Sequence, residues 1–168
     1  MSIKTGAHNH KRKEDMTKTS KAPRFVRAAN VLITTLLRVG VPLVGPGLVV
    51  GNYPMYLLTV RGRKSGQPRT IPLAIIKRNG MRYIGSPYGI VDWVRNLRVA
   101  GEAILTRRLR SETVTAKELP AGEAAVVLRE EIEGGNPFMN YYGVTANSSR
   151  EELESAAVSH PLFVLERK

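Results

Sequence analysis

Four cations crowd one short turn: Arg61, Arg63, Lys64 and Arg69 surround Gly62, Ser65, Gly66 and Pro68 within YLLTVRGRKSGQPRTIPL, Tyr56 to Leu73. Glycines leave backbone N–H groups accessible and guanidinium groups offer paired donors, so such a turn can hold a phosphate or a carboxylate. The same residues also suit a solvated turn with ordinary surface charge. No helix follows directly, so the motif is not a Walker-type P-loop.

Other chemistry is sparse. The absence of cysteine excludes disulfides, thiolate metal sites, iron–sulfur clusters and cysteine nucleophiles, though not redox chemistry by a bound cofactor. Of the three histidines, His8 and His10 sit in a basic leader and His160 precedes Pro161, where it suits a turn or a helix end. A histidine triad or metal site lacks its partners. Glu130, Glu131 and Glu133, and again Glu151, Glu152 and Glu154, fall around helical surfaces and read as solvent-facing charge. An enzyme built from this chain must therefore borrow its reactivity from a cofactor.

The elements that would position the cationic turn are legible from periodicity. Two apolar runs flank it as adjacent strands. Thr70 to Lys77 reads as one strand, Asn79-Gly80 as a hairpin turn and Met81 to Ser86 as the return, all in one antiparallel sheet with Pro72 at an edge or bulge. Asp92 is placed to N-cap a short helix that Gly101 closes, with Trp93, Asn96, Leu97 and Ala100 on its inner face. Ala103 to Arg108 and Ser111 to Thr115 form a strand pair. Pro120 to Ile132 reads as a helix with Ala124, Val127, Leu128 and Glu131 on adjoining turns, ended by Gly134-Gly135. A loop with Phe138, Tyr141 and Tyr142, a helix from Ser149 to Ser159 and a strand from Leu162 to Leu165 complete the chain. Closely spaced strands with inserted helices imply an α+β fold, a mainly antiparallel split β-barrel. With no GxGxxG and connections too short for crossovers, a Rossmann fold is disfavoured.

A length of 168 residues suits one domain, here residues 24–168 behind a disordered basic tail, residues 1–23. The formal charge of +12 implies an anionic partner. Half of it lies in residues 1–27, where eight Lys or Arg face Glu14 and Asp15. Phe25, Ala29, Leu32, Leu36 and Val39 then recur at helical spacing; this basic amphipathic segment, residues 25–39, suits packing on its own domain, a cofactor lid or peripheral membrane contact. Val39 to Val60 is uncharged for 22 positions, but three prolines and four glycines break any spanning helix. The leader is too long, and the apolar segment after it too amphipathic, for a signal peptide.

Taken together and in order, LLTVRGRKSGQPRTIPL, GSPYG, DWVRNLRVAG and HPLFVLER resemble the deazaflavin-dependent nitroreductase family, over about residues 24–168. Members of that family are flavin-type split β-barrels that use coenzyme F420 in place of a flavin. The resemblance implies a cytoplasmic oxidoreductase passing hydride from reduced F420 to a small electron-poor acceptor: a quinone, an enone or a nitroaromatic. It implies that Arg63, Lys64, Ser65 and Arg69 hold the cofactor phosphate. By the same resemblance Ile71, Pro72 and Leu73, with Gly85 and Ser86, border the deazaflavin ring, and Trp93 and Asn96 close the pocket. Tyr141 and Tyr142 are candidate proton or hydrogen-bond donors. Family members carry a lysine and glycines after the serine where this chain has Pro87 and Tyr88. That difference motivates the alternative of a non-catalytic barrel binding a lipid or another flavin such as FMN.

Bland readings stand beside these. Trp93 and Asn96 suit a packed, hydrogen-bonded core, and the two tyrosines suit loop packing. Arg107-Arg108-Leu109-Arg110 lacks the interleaved aromatics of a nucleic-acid surface, so no specific nucleic-acid partner is expected. A homodimer is compatible with the sequence, which fixes no oligomeric state.

Overall fold

The two strands on either side of the cationic turn pair with each other. In the computed structural model, which describes residues 34–35, 53–107 and 110–168, β1 (Met55–Arg61) runs antiparallel to β2 (Pro68–Ala74), with Tyr56 opposite Leu73 and Arg61 opposite Pro68. The basic tail and the amphipathic segment 25–39 lie outside the described residues, except for the helical Thr34 and Thr35. No described helix is long and apolar enough to cross a membrane.

Where the sequence suggests one strand from Thr70 to Lys77, the chain breaks. β2 ends at Ala74, and Ile75 leads into a short β3 (Ile76–Arg78). The break is a corner. Ile75 is fully buried and donates its N–H to the Pro54 carbonyl at 3.1 Å, one step beyond the last β1–β2 pair, so the chain turns the corner with an apolar side chain inside. β3 turns through Asn79 and Gly80, both at positive φ as a primed hairpin turn needs, into β4 (Met81–Gly85).

Helix α1 (Asp92–Ala100) follows, then β5 (Glu102–Arg107), β6 (Arg110–Glu118), α2 (Ala121–Glu133), a 3-10 turn (Pro137–Tyr142), α3 (Arg150–Ser159) and β7 (Leu162–Arg167). The strands form one antiparallel sheet in the order β2-β1-β5-β6-β7-β4-β3. Its two edges, β2 and β3, are separated in sequence by Ile75 alone. Chain continuity thus curls the sheet until its edges approach, giving the α+β half-barrel. Pro72 lies on the edge strand β2, where its missing N–H costs no ladder bond on the open side.

Two apolar clusters meet at β7. The barrel interior holds Leu58, Val60, Ile84, Leu105, Val114, Phe163 and Leu165, sealed by Val94 and Leu97 of α1. Outside, α2, α3 and the 3-10 turn pack Leu128, Met139, Tyr142 and Leu153 against Leu162. Leu162 and Phe163 therefore face opposite ways, which is why LFVL is a continuous apolar run rather than an alternating one. Each fully buried leucine or phenylalanine contributes about 2 kcal/mol of hydrophobic free energy. β7 also reaches further than Leu165, because Arg167 pairs with Val114. Arg107 covers the Tyr56 ring, 5.4 Å from its centre.

Glu131 corrects the reading of a solvent-facing acidic cluster. It has no exposed surface. Its position in the stripe Ala124, Val127, Leu128, Glu131 directs it inward, and partners there make burial tolerable. Arg78 Nε donates to Oε1 at 2.8 Å and Asn136 Nδ2 to Oε2 at 2.6 Å, while Asn136 Oδ1 accepts the Phe138 N–H and so starts the 3-10 turn. Arg78 also donates to the Glu130 carbonyl at 3.2 Å. This approach needs Gly134, since a Cβ there would lie 2.6 Å from Arg78 Nη2. Tyr53 joins the group; burial, then the hydrogen bond and charge of Glu131, push its phenol up to about 12.

Arg78→Met is accordingly expected to strand a buried carboxylate and lower unfolding free energy by about 3 kcal/mol. Denaturant titration checks this. A loss under about 1 kcal/mol would show that Asn136 and Tyr53 hold Glu131 without the counter-charge.

Candidate functional site

The turn between β1 and β2 is built tightly from its own backbone. Gly62 N–H donates to the Gln67 carbonyl at 2.9 Å and Gly66 N–H to the Gly62 carbonyl at 2.8 Å. A Cβ on Gly62 would sit 3.0 Å from the Gln67 oxygen, and Gly66 adopts φ +67°, so both positions favour glycine. Ser65 Oγ accepts the Gln67 N–H at 3.4 Å.

Helix α1 fixes where this turn points. Asn96, nearly buried, accepts at one oxygen both the Arg63 backbone N–H (3.2 Å) and Arg63 Nη1 (2.9 Å). Arg63 Nη2 reaches Asp92 Oδ1 at 3.1 Å, and Nη1 the Asp92 carbonyl at 3.5 Å. Asp92 is therefore not the expected N-cap. Val91 occupies that position without a side-chain cap, and Asp92 is the first helical residue, its carboxylate turned to Arg63 and, at 3.8 Å, to Arg95. Gly101 does close the helix in the left-handed conformation.

Between turn and helix lies a cleft of about 620 Å³ lined by Gly62, Arg63, Lys64, Ser65, Pro68, Arg69, Thr70, Ile71, Asp92, Trp93 and Asn96. Its charge is unequal. Arg63 is neutralised by Asp92, whereas Lys64 and Arg69 are exposed and have no hydrogen-bond or ion-pair partner among the described residues. Ile71 and Trp93 supply an apolar wall backed by the barrel core; the Trp93 ring lies 6.0 Å from that of Phe163. A cleft that combines these two cations with an apolar wall suits a ligand that carries an anionic group joined to a flat apolar one.

Of the residues singled out from sequence, Arg63, Lys64, Ser65, Arg69, Ile71, Trp93 and Asn96 come together in this cleft. Pro72, Leu73, Gly85 and Ser86 do not line it. Ser86 is buried, its hydroxyl donating to the Gly89 carbonyl and its N–H to the Pro161 carbonyl at 3.1 Å. Gly85 faces Tyr142, whose hydroxyl would clash with a Cβ on that glycine. Tyr142 is a core residue, and burial, then the charge of Glu131, raise its phenol pKa well above the ordinary value. Tyr141 is exposed, edge-on to Tyr88 at 5.2 Å. Asp92 was missed as a site residue, although its spacing of four from Asn96 places both on one helix face. Among the described residues no cluster of acidic or histidine side chains could hold a metal ion.

The profile of the F420H(2)-dependent quinone reductase family matches residues 38–151. A solved structure described as a domain-swapped dimer is 21% identical, with 84% of this chain and 97% of that one covered at a TM-score of 0.51, and shares the fold. The structure of an F420-H2 dependent reductase is 23% identical, covering 67% of this chain and 94% of its own at a TM-score of 0.48. No curated protein matches the sequence.

Away from the cleft lining, His160 ends α3, its Nδ1 3.1 Å from the Ala156 carbonyl and its ring 5.2 Å from that of Tyr142. Burial lowers its pKa, opposed in part by the Ala156 carbonyl. The fold therefore favours the neutral ring. That stabilisation is complete above the unfolded value of 6.5 and is lost as pH falls through the lower folded value. His160→Gln, which retains a donor for Ala156, is expected to remove this part of the acid destabilisation as pH falls below 6.5, read from denaturant midpoints. An unaltered pH profile would contradict it.

Proposed function

The chain belongs to the F420H(2)-dependent quinone reductase family, and from that premise we propose that the cleft between the β1–β2 turn and α1 seats coenzyme F420 and that the enzyme reduces a quinone. The observation that carries this reading is the pairing, in one cleft, of an apolar wall with two cations that have no ion-pair partner among the described residues. F420 is itself a flat ring joined to a phosphate- and carboxylate-bearing tail, so the donor set fits its chemistry.

Lys64 and Arg69, with the Ser65 hydroxyl, hold the phosphate. Arg63 fixes the turn through Asn96 and Asp92, so the two phosphate-binding cations are presented from a preorganised backbone. Trp93 and Ile71 receive the ring and exclude water from one side of it. When bound in its reduced form, the cofactor supplies a hydride. The protein's part is binding and orientation, the contribution that converts an encounter into a positioned reaction. No side chain is required as an obligatory acid: Tyr142 is buried against Gly85, Tyr141 is exposed outside the cleft, and solvent protonates the reduced acceptor.

Arg69→Ala is expected to weaken F420 binding by about 1.5 to 3 kcal/mol, a charge-assisted hydrogen bond, with thermal stability unchanged. Unchanged affinity would return the turn to a solvated surface feature. In single-turnover reduction of a quinone, Tyr141→Phe is expected to stay within about 10-fold of the parent. A loss of about 100-fold or more, with cofactor affinity intact, would make that phenol a catalytic donor.

A further inference from the structure

Among the described residues of the cleft, Asp92 is the one whose charge opposes the proposed ligand. Its side chain is 78% exposed, it lines the same cavity as Lys64 and Arg69, and it stands in the first turn of α1, where the helix dipole and the leading N–H groups would otherwise attract an anion. Two arginines converge on it. Arg63 Nη2 is 3.1 Å and Arg95 Nη1 3.8 Å from the same oxygen, Oδ1. With Nη1 on Asn96 as well, both terminal nitrogens of Arg63 are committed to α1 without any ligand.

We propose that Asp92 is a specificity-determining residue: by holding Arg63 against α1 and placing a negative charge on the cleft wall, it rejects small inorganic anions and admits an anion joined to a flat apolar group. This deepens, and rests on, the reading that the cleft seats F420. The reasoning is one of charge balance. Without Asp92, Arg63, Lys64, Arg69 and the start of α1 would form a strong site for any phosphate, and cellular phosphates would compete with the cofactor. With Asp92 present, a bare anion meets Lys64 and Arg69 beside an Arg63 whose charge Asp92 already offsets, so the cleft wall is less positive by one charge. A ligand that also covers Trp93 and Ile71 adds apolar contact that the carboxylate does not oppose.

Trp93 provides the readout, because it is the single tryptophan of the chain and lines the cleft. Its emission is followed while parent, Asp92→Asn and Asp92→Ser proteins are titrated with inorganic pyrophosphate and, separately, with oxidised F420. The pair of variants guards against a defect peculiar to one of them. At low ionic strength both variants are expected to bind pyrophosphate about 3- to 10-fold more tightly than the parent, the gain shrinking at about 0.5 M salt. F420 affinity is expected to change less, so the preference for F420 over pyrophosphate falls. A purely structural Asp92 would weaken both ligands and give no salt-dependent gain. Failure of the variants to gain pyrophosphate affinity, whether through an equal response or none, overturns the inference even if F420 binds. If pyrophosphate affinity rises as expected while F420 binds neither parent nor variants, it is the cofactor reading that fails.

Discussion

One nearly buried oxygen, Oδ1 of Asn96, accepts two donors from Arg63 and so ties the β1–β2 turn to helix α1. A side-chain amide removed from water costs free energy unless it is paired, so the burial of Asn96 and the placement of the turn are one requirement. Helix α1 is itself anchored, because Val94 and Leu97 pack into the barrel interior. The turn thereby inherits the rigidity of the core, although most of its own residues are exposed. The cleft is the space left between them.

The barrel reaches that arrangement through β7. Its two faces serve two different cores, and the 3-10 turn that covers the outer one depends on Asn136, which depends in turn on Glu131 and Arg78. A buried ion pair of this kind is weak evidence for stability, but losing either partner is costly. Its consequence is geometric: it joins the C-terminal end of α2 to the β3–β4 hairpin, and that hairpin carries one edge of the sheet.

Features written in neighbouring residues were legible. Asn79-Gly80 marks its hairpin, Gly101 closes α1, Ser149 opens α3, and the apolar runs around Gly62 to Gln67 mark β1 and β2. What pairs at long range was not legible. Nothing local places β5 beside β1 or β7 between β6 and β4, and the break at Ile75 follows from the barrel's corner rather than from residue type. Glu131 was misread because its charge was weighed above its position in the apolar stripe, and Arg78, the partner that reverses the balance, is 53 residues away. Asp92 was read as a local cap when its partner lies 29 residues earlier. The resemblance among the ordered motifs points to the family before the fold does, and the Arg63 it assigns to the cofactor phosphate lines the cleft with its guanidinium on Asn96 and Asp92.

The central claim is that the cleft beside Trp93 seats F420. Equilibrium titration of the protein with oxidised F420 and, in parallel, with FMN, followed through Trp93 emission, tests it most directly. The account predicts saturable quenching by F420 at concentrations where FMN has little effect. Quenching by FMN alone, or F420 binding that leaves Trp93 emission unchanged, would contradict it.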